Sequence, residues 1–127
     1  MPDARHHPGL AGRRVLLVED DYLVADVLCR EMEDAGAEVV GPASDVAAAL
    51  ALVEAEPGIG GAVLDVHLGD EMSWPVADAL LARGVPVVFA TGYDASVIPA
   101  RYAGVGLCEK PVEPARLARV LARAVAR

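Results

Sequence analysis

Five short apolar runs, each followed by a stretch at helical spacing, limit what this chain can fold into more than any other feature. The first run, Val15-Leu16-Leu17-Val18, is apolar at every position. A strand with one wet face alternates apolar and polar residues, so an unbroken run is buried on both faces, as in a parallel sheet. After Glu19-Asp20-Asp21 the period changes. Val24, Val27, Leu28 and Met32 recur at helical spacing, with Arg30, Glu31, Glu33 and Asp34 filling the other face. Asp20 or Asp21 can cap this helix, and Gly36 can stop it.

The pattern repeats down the chain. Val39-Val40 reads as a second strand closed by Gly41-Pro42, and Ser44 caps an Ala-rich helix from Asp45 to about Glu56. Pro57-Gly58 breaks it. Ala62 to Leu64 form a third strand that runs into Asp65, and Gly69-Asp70-Glu71 reads as a polar loop. Pro75 starts a third helix that runs to Arg83 and stops at Gly84. Val85 to Ala90 form the fourth strand, with Pro86 tolerated near its start. A short helix interrupted by Pro99 ends near Gly104. Gly106-Leu107-Cys108 is the fifth strand. Pro114 opens a last helix with Leu117, Val120, Leu121, Ala124 and Val125 as its apolar stripe. The expected fold is α/β, a doubly wound five-stranded parallel sheet of flavodoxin-like (β/α)5 type.

With 127 residues the chain is long enough for one core and too short for two. Residues 1–12 are rich in Pro, Gly and His, and read as a flexible arm ahead of a domain at 13–127; the His6-His7 pair in it carries little weight. Aromatic residues make up only 4% of the chain, so Ala, Val and Leu must build the core. The net charge of −8 would be repelled by a phosphate backbone, which argues against nucleic-acid binding. The longest apolar run, Val46 to Val53, has eight residues against the ~20 of a spanning helix, so no membrane insertion is expected. Cys29 and Cys108 lack metal-ligand spacing and read as free thiols, and no secretory signal is visible. Both fit the cytoplasm.

Parallel strands present their C-terminal ends along one edge, where ligands of such sheets bind. That edge would gather Glu19, Asp20, Asp65, Thr91 and Lys110. Carboxylates ~4 Å apart repel by roughly 4 kcal/mol at an effective dielectric of ~20, so the cluster calls for a proton or a cation. Hard oxygen donors favour Mg²⁺ over zinc. Lys110 can hold a phosphoryl oxygen as a point charge, Thr91 can donate its hydroxyl, and Gly92 leaves room for the group. A carboxylate in that setting is competent to attack phosphorus and form an acyl phosphate.

From Arg13 to Arg127 the chain resembles response-regulator receiver domains. The likeness rests on Val15-Leu16-Leu17-Val18-Glu19-Asp20-Asp21, Leu64-Asp65-Val66, Thr91 and Lys110-Pro111. It implies that Asp65 is the phospho-acceptor, that Glu19, Asp20 and Asp65 hold Mg²⁺ with the backbone carbonyl of His67 as a further ligand, and that Thr91 and Lys110 contact the phosphoryl group. These two would couple it to the face of the fourth helix, fifth strand and fifth helix. Receivers usually carry Tyr or Phe three residues before the Lys-Pro pair; here Leu107 stands there. Phe89-Ala90-Thr91-Gly92-Tyr93 resembles the signature of alphaproteobacterial single-domain regulators. Those commonly work with histidine kinases of the HWE or related types. The resemblance therefore implies a bacterial two-component or phosphorelay protein whose partners are a histidine kinase or a phosphotransfer protein and a downstream protein target. It would be a receiver that promotes its own phosphorylation and dephosphorylation rather than an enzyme acting on other substrates.

The side chains of His67 and Tyr93 flank the expected entrance and are candidate modulators of water access. Trp74 reads as a loop anchor, and Arg116, Arg119, Arg123 and Arg127 as a solvated helix face. Two other readings stand beside the leading one. A phosphohydrolase of the haloacid-dehalogenase type would want an Asp at position 67, where the chain has His. A receiver fold kept only for partner binding would be expected to lack one of the key residues, and none is missing.

Overall fold

The computed structural model describes residues 7–92 and 95–126. Five parallel strands form the sheet: β1 (Arg14–Val18), β2 (Glu38–Ala43), β3 (Ile59–Asp65), β4 (Val87–Thr91) and β5 (Gly106–Glu109). Four helices connect or follow them: α1 (Tyr22–Asp34), α2 (Val46–Ala55), α3 (Trp74–Ala82) and α4 (Pro114–Ala126). The strand order is β2-β1-β3-β4-β5. The order reverses between β1 and β3, which places the binding crevice of such a sheet beyond their C-terminal ends.

The unbroken apolar runs do what their pattern requires. Val15 and Leu17 enter the core between the sheet and α1 and α4, while Leu16 and Val18 enter the core on the other face, under α2 and α3. In β4, Val88 joins the first core and Val87 and Phe89 the second. Each fully buried Leu or Val contributes about 1.5–3 kcal/mol relative to an exposed one, so the two cores carry the fold.

Several local expectations change in the folded chain. Residues 7–12, read as part of a flexible arm, are docked: the His7 N–H donates to the Ala35 carbonyl at 3.0 Å and the Gly12 N–H to Gly36 at 2.9 Å. Leu10, in a 3₁₀ turn at Pro8–Leu10, is fully buried in the α1/α4 core. One Leu among Pro and Gly has no periodicity to reveal it. On α1 the buried stripe is Ala25, Leu28 and Met32, not the stripe that includes Val27; Tyr22, Leu23 and Val27 face outwards. The cap of α1 is Asp21, whose Oδ1 accepts from Leu23 and Val24 N–H at 2.9 and 3.1 Å. The cap of α2 is Asp45 and not Ser44, its Oδ1 accepting from Ala48 N–H at 2.7 Å.

β2 continues through Gly41-Pro42 to Ala43, with the pairing to β1 shifting register between Leu16 and Val18. It is an edge strand, where a residue without an N–H is tolerated. Gly41 takes φ +97°, and a Cβ there would sit 2.9 Å from the Ala43 nitrogen. Pro86 lies just outside β4, and its carbonyl accepts from Ala62 N–H at 3.0 Å. α3 begins at Trp74, one residue before the expected Pro75.

The largest differences flank β4. The expected polar loop after Asp65 contains an antiparallel hairpin, His67–Leu68 against Glu71–Met72. The short helix expected after β4 is replaced, among the described residues, by two 3₁₀ turns, Ala95–Val97 and Ala100–Tyr102. Pro99 lacks the N–H an α-helix needs there and disfavours helical backbone at Ile98. Among the described residues, five parallel strands are accompanied by four α-helices.

Candidate functional site

Each of the main residues of the site is set by the end of a strand. Glu19 follows the last residue of β1, Asp65 is the last residue of β3, and Thr91 the last of β4; Lys110 follows β5. Glu19, Asp65 and Thr91 are buried, Asp20 is exposed and Lys110 is half-buried. One oxygen each from Glu19, Asp20 and Asp65 lies within 4.8 Å of the others. Lys110 Nζ sits 2.8 Å from Asp65 Oδ2 and 3.2 Å from Glu19 Oε1.

Backbone donors hold these groups in place. Glu19 Oε2 accepts from the Asp21 N–H at 3.1 Å, which fixes Glu19 and starts α1 in one step. Asp20 Oδ2 accepts from the Gly69 N–H at 2.9 Å, so the hairpin tip is tied to the end of β1. Gly69 takes φ +61°, a left-handed conformation that an L side chain resists. The Lys110 N–H donates to the Thr91 carbonyl at 2.7 Å, and Val66 N–H to the Ala90 carbonyl at 2.9 Å. The ends of β3, β4 and β5 are thereby stitched side by side.

The electrostatics are strained around Glu19. Burial first, and then its contact with Asp65, push its pKa up to about 7. Its Oε1 is buried and, apart from the Lys110 ammonium at 3.2 Å, accepts no well-formed hydrogen bond among the described residues. Burial works to lower the Lys110 pKa, but the hydrogen bond to Asp65 and the charges of Asp65 and Glu19 outweigh it, and the net shift is upward. What burial Asp20 has works to raise its pKa, yet the Gly69 N–H holds the carboxyl below its usual range. An under-satisfied buried carboxylate oxygen beside two more hard oxygen donors fits a divalent cation such as Mg²⁺.

Of the residues expected here, Glu19, Asp20, Asp65 and Lys110 are brought together, and Thr91 adjoins them. His67 is half-buried at the start of the hairpin. Tyr93 lies outside the described residues. Two contributors had no sequence signal strong enough to find: the Gly69 N–H on Asp20 and the Asp21 N–H on Glu19. The left-handed turn at Gly69 was the available hint, because Gly before Asp in a polar stretch marks a turn.

Solved structures with this fold resemble the chain over more than nine-tenths of its length. SdrG from Sphingomonas melonis Fr1 is 38% identical with a TM-score of 0.78, over 95% of this chain and 100% of SdrG. A BeF3-activated conformation of SdrG, from Pseudomonas melonis Fr1, is 40% identical with a TM-score of 0.74, over 91% of this chain and 98% of that one. The response regulator PhyR from Brucella abortus superposes with a TM-score of 0.81 at 27% identity; this chain spans 49% of PhyR's length. No family model and no curated protein sequence matches. The chain belongs to the response-regulator receiver family.

Proposed function

We propose that this protein is a phospho-accepting response regulator of a bacterial two-component or phosphorelay system, with Asp65 as acceptor. The observation that carries the reading is the placement of the Lys110 ammonium 2.8 Å from Asp65 and 3.2 Å from the under-satisfied Glu19 oxygen. Such an arrangement holds a nucleophilic carboxylate beside a cation ready to share its charge with an incoming phosphoryl oxygen. A relative at 40% identity adopts a BeF3-activated conformation, which supports the same chemistry here.

Glu19, Asp20 and Asp65, with the His67 carbonyl, are the residues that would hold Mg²⁺; when bound, the ion neutralises charge on the phosphoryl oxygens. Asp65 Oδ attacks phosphorus while the bond from phosphorus to the donor nitrogen breaks. Lys110 shifts its ion pair from the free carboxylate to the new phosphoryl group, and the Thr91 hydroxyl donates to another of its oxygens. Because Lys110 is already in place, little reorganisation accompanies the transfer.

The donor is a histidine kinase, of the HWE or a related type by the Phe89 to Tyr93 signature, or a phosphotransfer protein. An apolar groove of about 300 Å³ adjoins Lys110, lined by Leu23, Val24, Val27, Leu28, Pro111 and Val112. Leu23 is 74% exposed and Val27 51%, and a protein donor seated there reaches Asp65 past Lys110. Output goes to a downstream protein. The site of action in this reading is the cytoplasm; among the described residues no helix is long and apolar enough to cross a membrane.

The test is the intact mass after incubation with Mg²⁺ and a small acyl phosphate, beside Asp65→Asn. The expected result is one added phosphoryl group, removed by hydroxylamine and missing from the variant. A gain that persists in Asp65→Asn, or no gain from either the small donor or a histidine kinase, overturns the reading.

A further inference from the structure

Of the three carboxylates at the site, Asp20 is the one least able to stay there by itself. Glu19 and Asp65 are buried and share the Lys110 ammonium, whereas Asp20 is exposed. Like charge on its two neighbours pushes it outwards, and water on its other side welcomes it. Yet one Asp20 oxygen lies within 4.8 Å of an oxygen from each of the other two. A donor from a segment far along the chain opposes that push. The Gly69 N–H bonds to Asp20 Oδ2 at 2.9 Å.

The hairpin after Asp65 is built to present that N–H. His67 pairs with Met72 and Leu68 with Glu71, which leaves Gly69 and Asp70 as a two-residue loop. The first position of such a loop takes glycine when its φ is positive, and Gly69 has φ +61°. The base of the hairpin is fixed to the sheet. The Val66 N–H donates to the Ala90 carbonyl and the Ser73 N–H to the Val66 carbonyl, both at 2.9 Å. Leu68 is buried in the core under α2 and α3, and Met72 packs against the same core. An anchored base and a two-residue tip leave the Gly69 N–H little freedom to wander.

Space is not what asks for glycine here. A Cβ built on Gly69 would meet nothing within 4 Å. The demands on this position are its left-handed backbone and its donor. A substitution that keeps both should therefore be tolerated, and one that removes them should act on Asp20 without disturbing a packed neighbour.

We propose that Gly69 is a positioning residue for the divalent cation: its N–H holds Asp20 beside Glu19 and Asp65, so the hairpin tip sets the affinity for Mg²⁺. This rests on the Mg²⁺ site of the reading above. The bond occupies Asp20 Oδ2 and leaves Oδ1 to serve as a ligand. Donors that orient a ligating side chain typically change metal affinity by about 10–100-fold when removed. The coupling runs both ways. If the tip strengthens Mg²⁺ binding by some factor, bound Mg²⁺ strengthens the hold on the tip by the same factor. The His67 carbonyl, a further ligand in that reading, lies on the same hairpin, so this one element serves the site at two positions.

The test titrates Mg²⁺ into the full chain by calorimetry and follows the Gly69 amide in protein labelled with ¹⁵N-glycine. Gly69→Pro removes the donor and the positive φ, and should weaken Mg²⁺ about tenfold or more. Gly69→Asn keeps the N–H and tolerates a left-handed backbone, and should stay within about twofold of the wild type. With a small acyl phosphate, Gly69→Pro should gain the phosphoryl group at close to the wild-type rate once Mg²⁺ saturates. The Mg²⁺ needed for half that rate should rise about tenfold. In the wild type, exchange of the Gly69 N–H should slow about tenfold on saturation with Mg²⁺. That readout needs no variant, and so decides the matter even where Gly69→Pro does not fold. Wild-type Mg²⁺ affinity in Gly69→Pro, equal weakening in Gly69→Asn and Gly69→Pro, or a Gly69 amide whose exchange ignores Mg²⁺ overturns this proposal alone. No Mg²⁺ binding by the wild type overturns the metal site, and this proposal with it.

Discussion

The molecule holds two clusters of one cation and two carboxylates, at opposite edges of the same sheet. At the N-terminal edge, Arg14 Nη1 lies 2.7 Å from Glu56 and its Nε 3.6 Å from Glu38. At the C-terminal edge, Lys110 lies 2.8 Å from Asp65 and 3.2 Å from Glu19. Each cation is paired with two carboxylates; the surroundings differ. The side chains of Glu38 and Glu56 are 66% and 33% exposed, those of Glu19 and Asp65 only 1% and 6%. Water screens the first cluster, which braces β1 against β2 and the end of α2. The second has lost that screening and adds Asp20 as a third carboxylate, so it keeps an unmet demand for positive charge. Burial, not composition, separates a brace from a site for chemistry.

The contrast can be broken most completely at Asp65. Asp65→Asn should abolish phosphoryl gain by intact mass, while Glu56→Gln at the other edge leaves it unchanged. Next comes the removal of each cation. Lys110→Met leaves two buried carboxylates facing each other and should cost about 2–3 kcal/mol in urea unfolding at pH 8 without metal. Arg14→Met should cost less than about 1 kcal/mol.

Protons should sharpen the comparison further. With its pKa raised from 4.5 to about 7 in the folded protein, Glu19 binds a proton more tightly folded than unfolded. Its contribution to the stability of the metal-free protein is complete below pH 4.5 and is lost as pH rises through about 7, by up to about 3 kcal/mol. Glu19→Gln should flatten that pH dependence, and no flattening in thermal melts between pH 5 and 8 would refute the assignment. The smallest effect expected is the response to Mg²⁺. A raised melting temperature at pH 8, reduced at pH 5.5 and lost in Glu19→Gln, would match a cation that binds the ionised carboxylates.

How legible all this was depended on the range of the forces involved. The runs Val15–Val18 and Val87–Ala90 showed their strands because burial on both faces leaves no polar position in them. The cap read at Asp20 or Asp21, the prolines at the starts of α3 and α4 and the glycines Gly36 and Gly84 bounded their helices within a residue or two, since those rules are local, while Ser44 was read as the cap that Asp45 supplies. Asp65, Thr91 and Lys110 stood out because each ends an apolar run, and parallel topology sends such ends to one edge. Leu10 and Val27 were misjudged for one reason. Whether an apolar residue is covered depends on what another segment brings to it, and neither arm nor helix carries that information. Likewise Pro99 signalled trouble for a helix without saying what would replace it.

What the sequence determined by itself was therefore the parallel α/β architecture and the set of charged residues at its functional edge, because periodicity and strand ends are properties of adjacent residues. Only the tertiary structure decided that the hairpin tip would hold Asp20 through the Gly69 N–H, that Glu19 would be buried enough to approach neutrality, and that Trp74, Phe89 and Tyr102 would meet. Those outcomes depend on distance and desolvation between segments far apart in the chain, which do not exist until the chain has closed on itself.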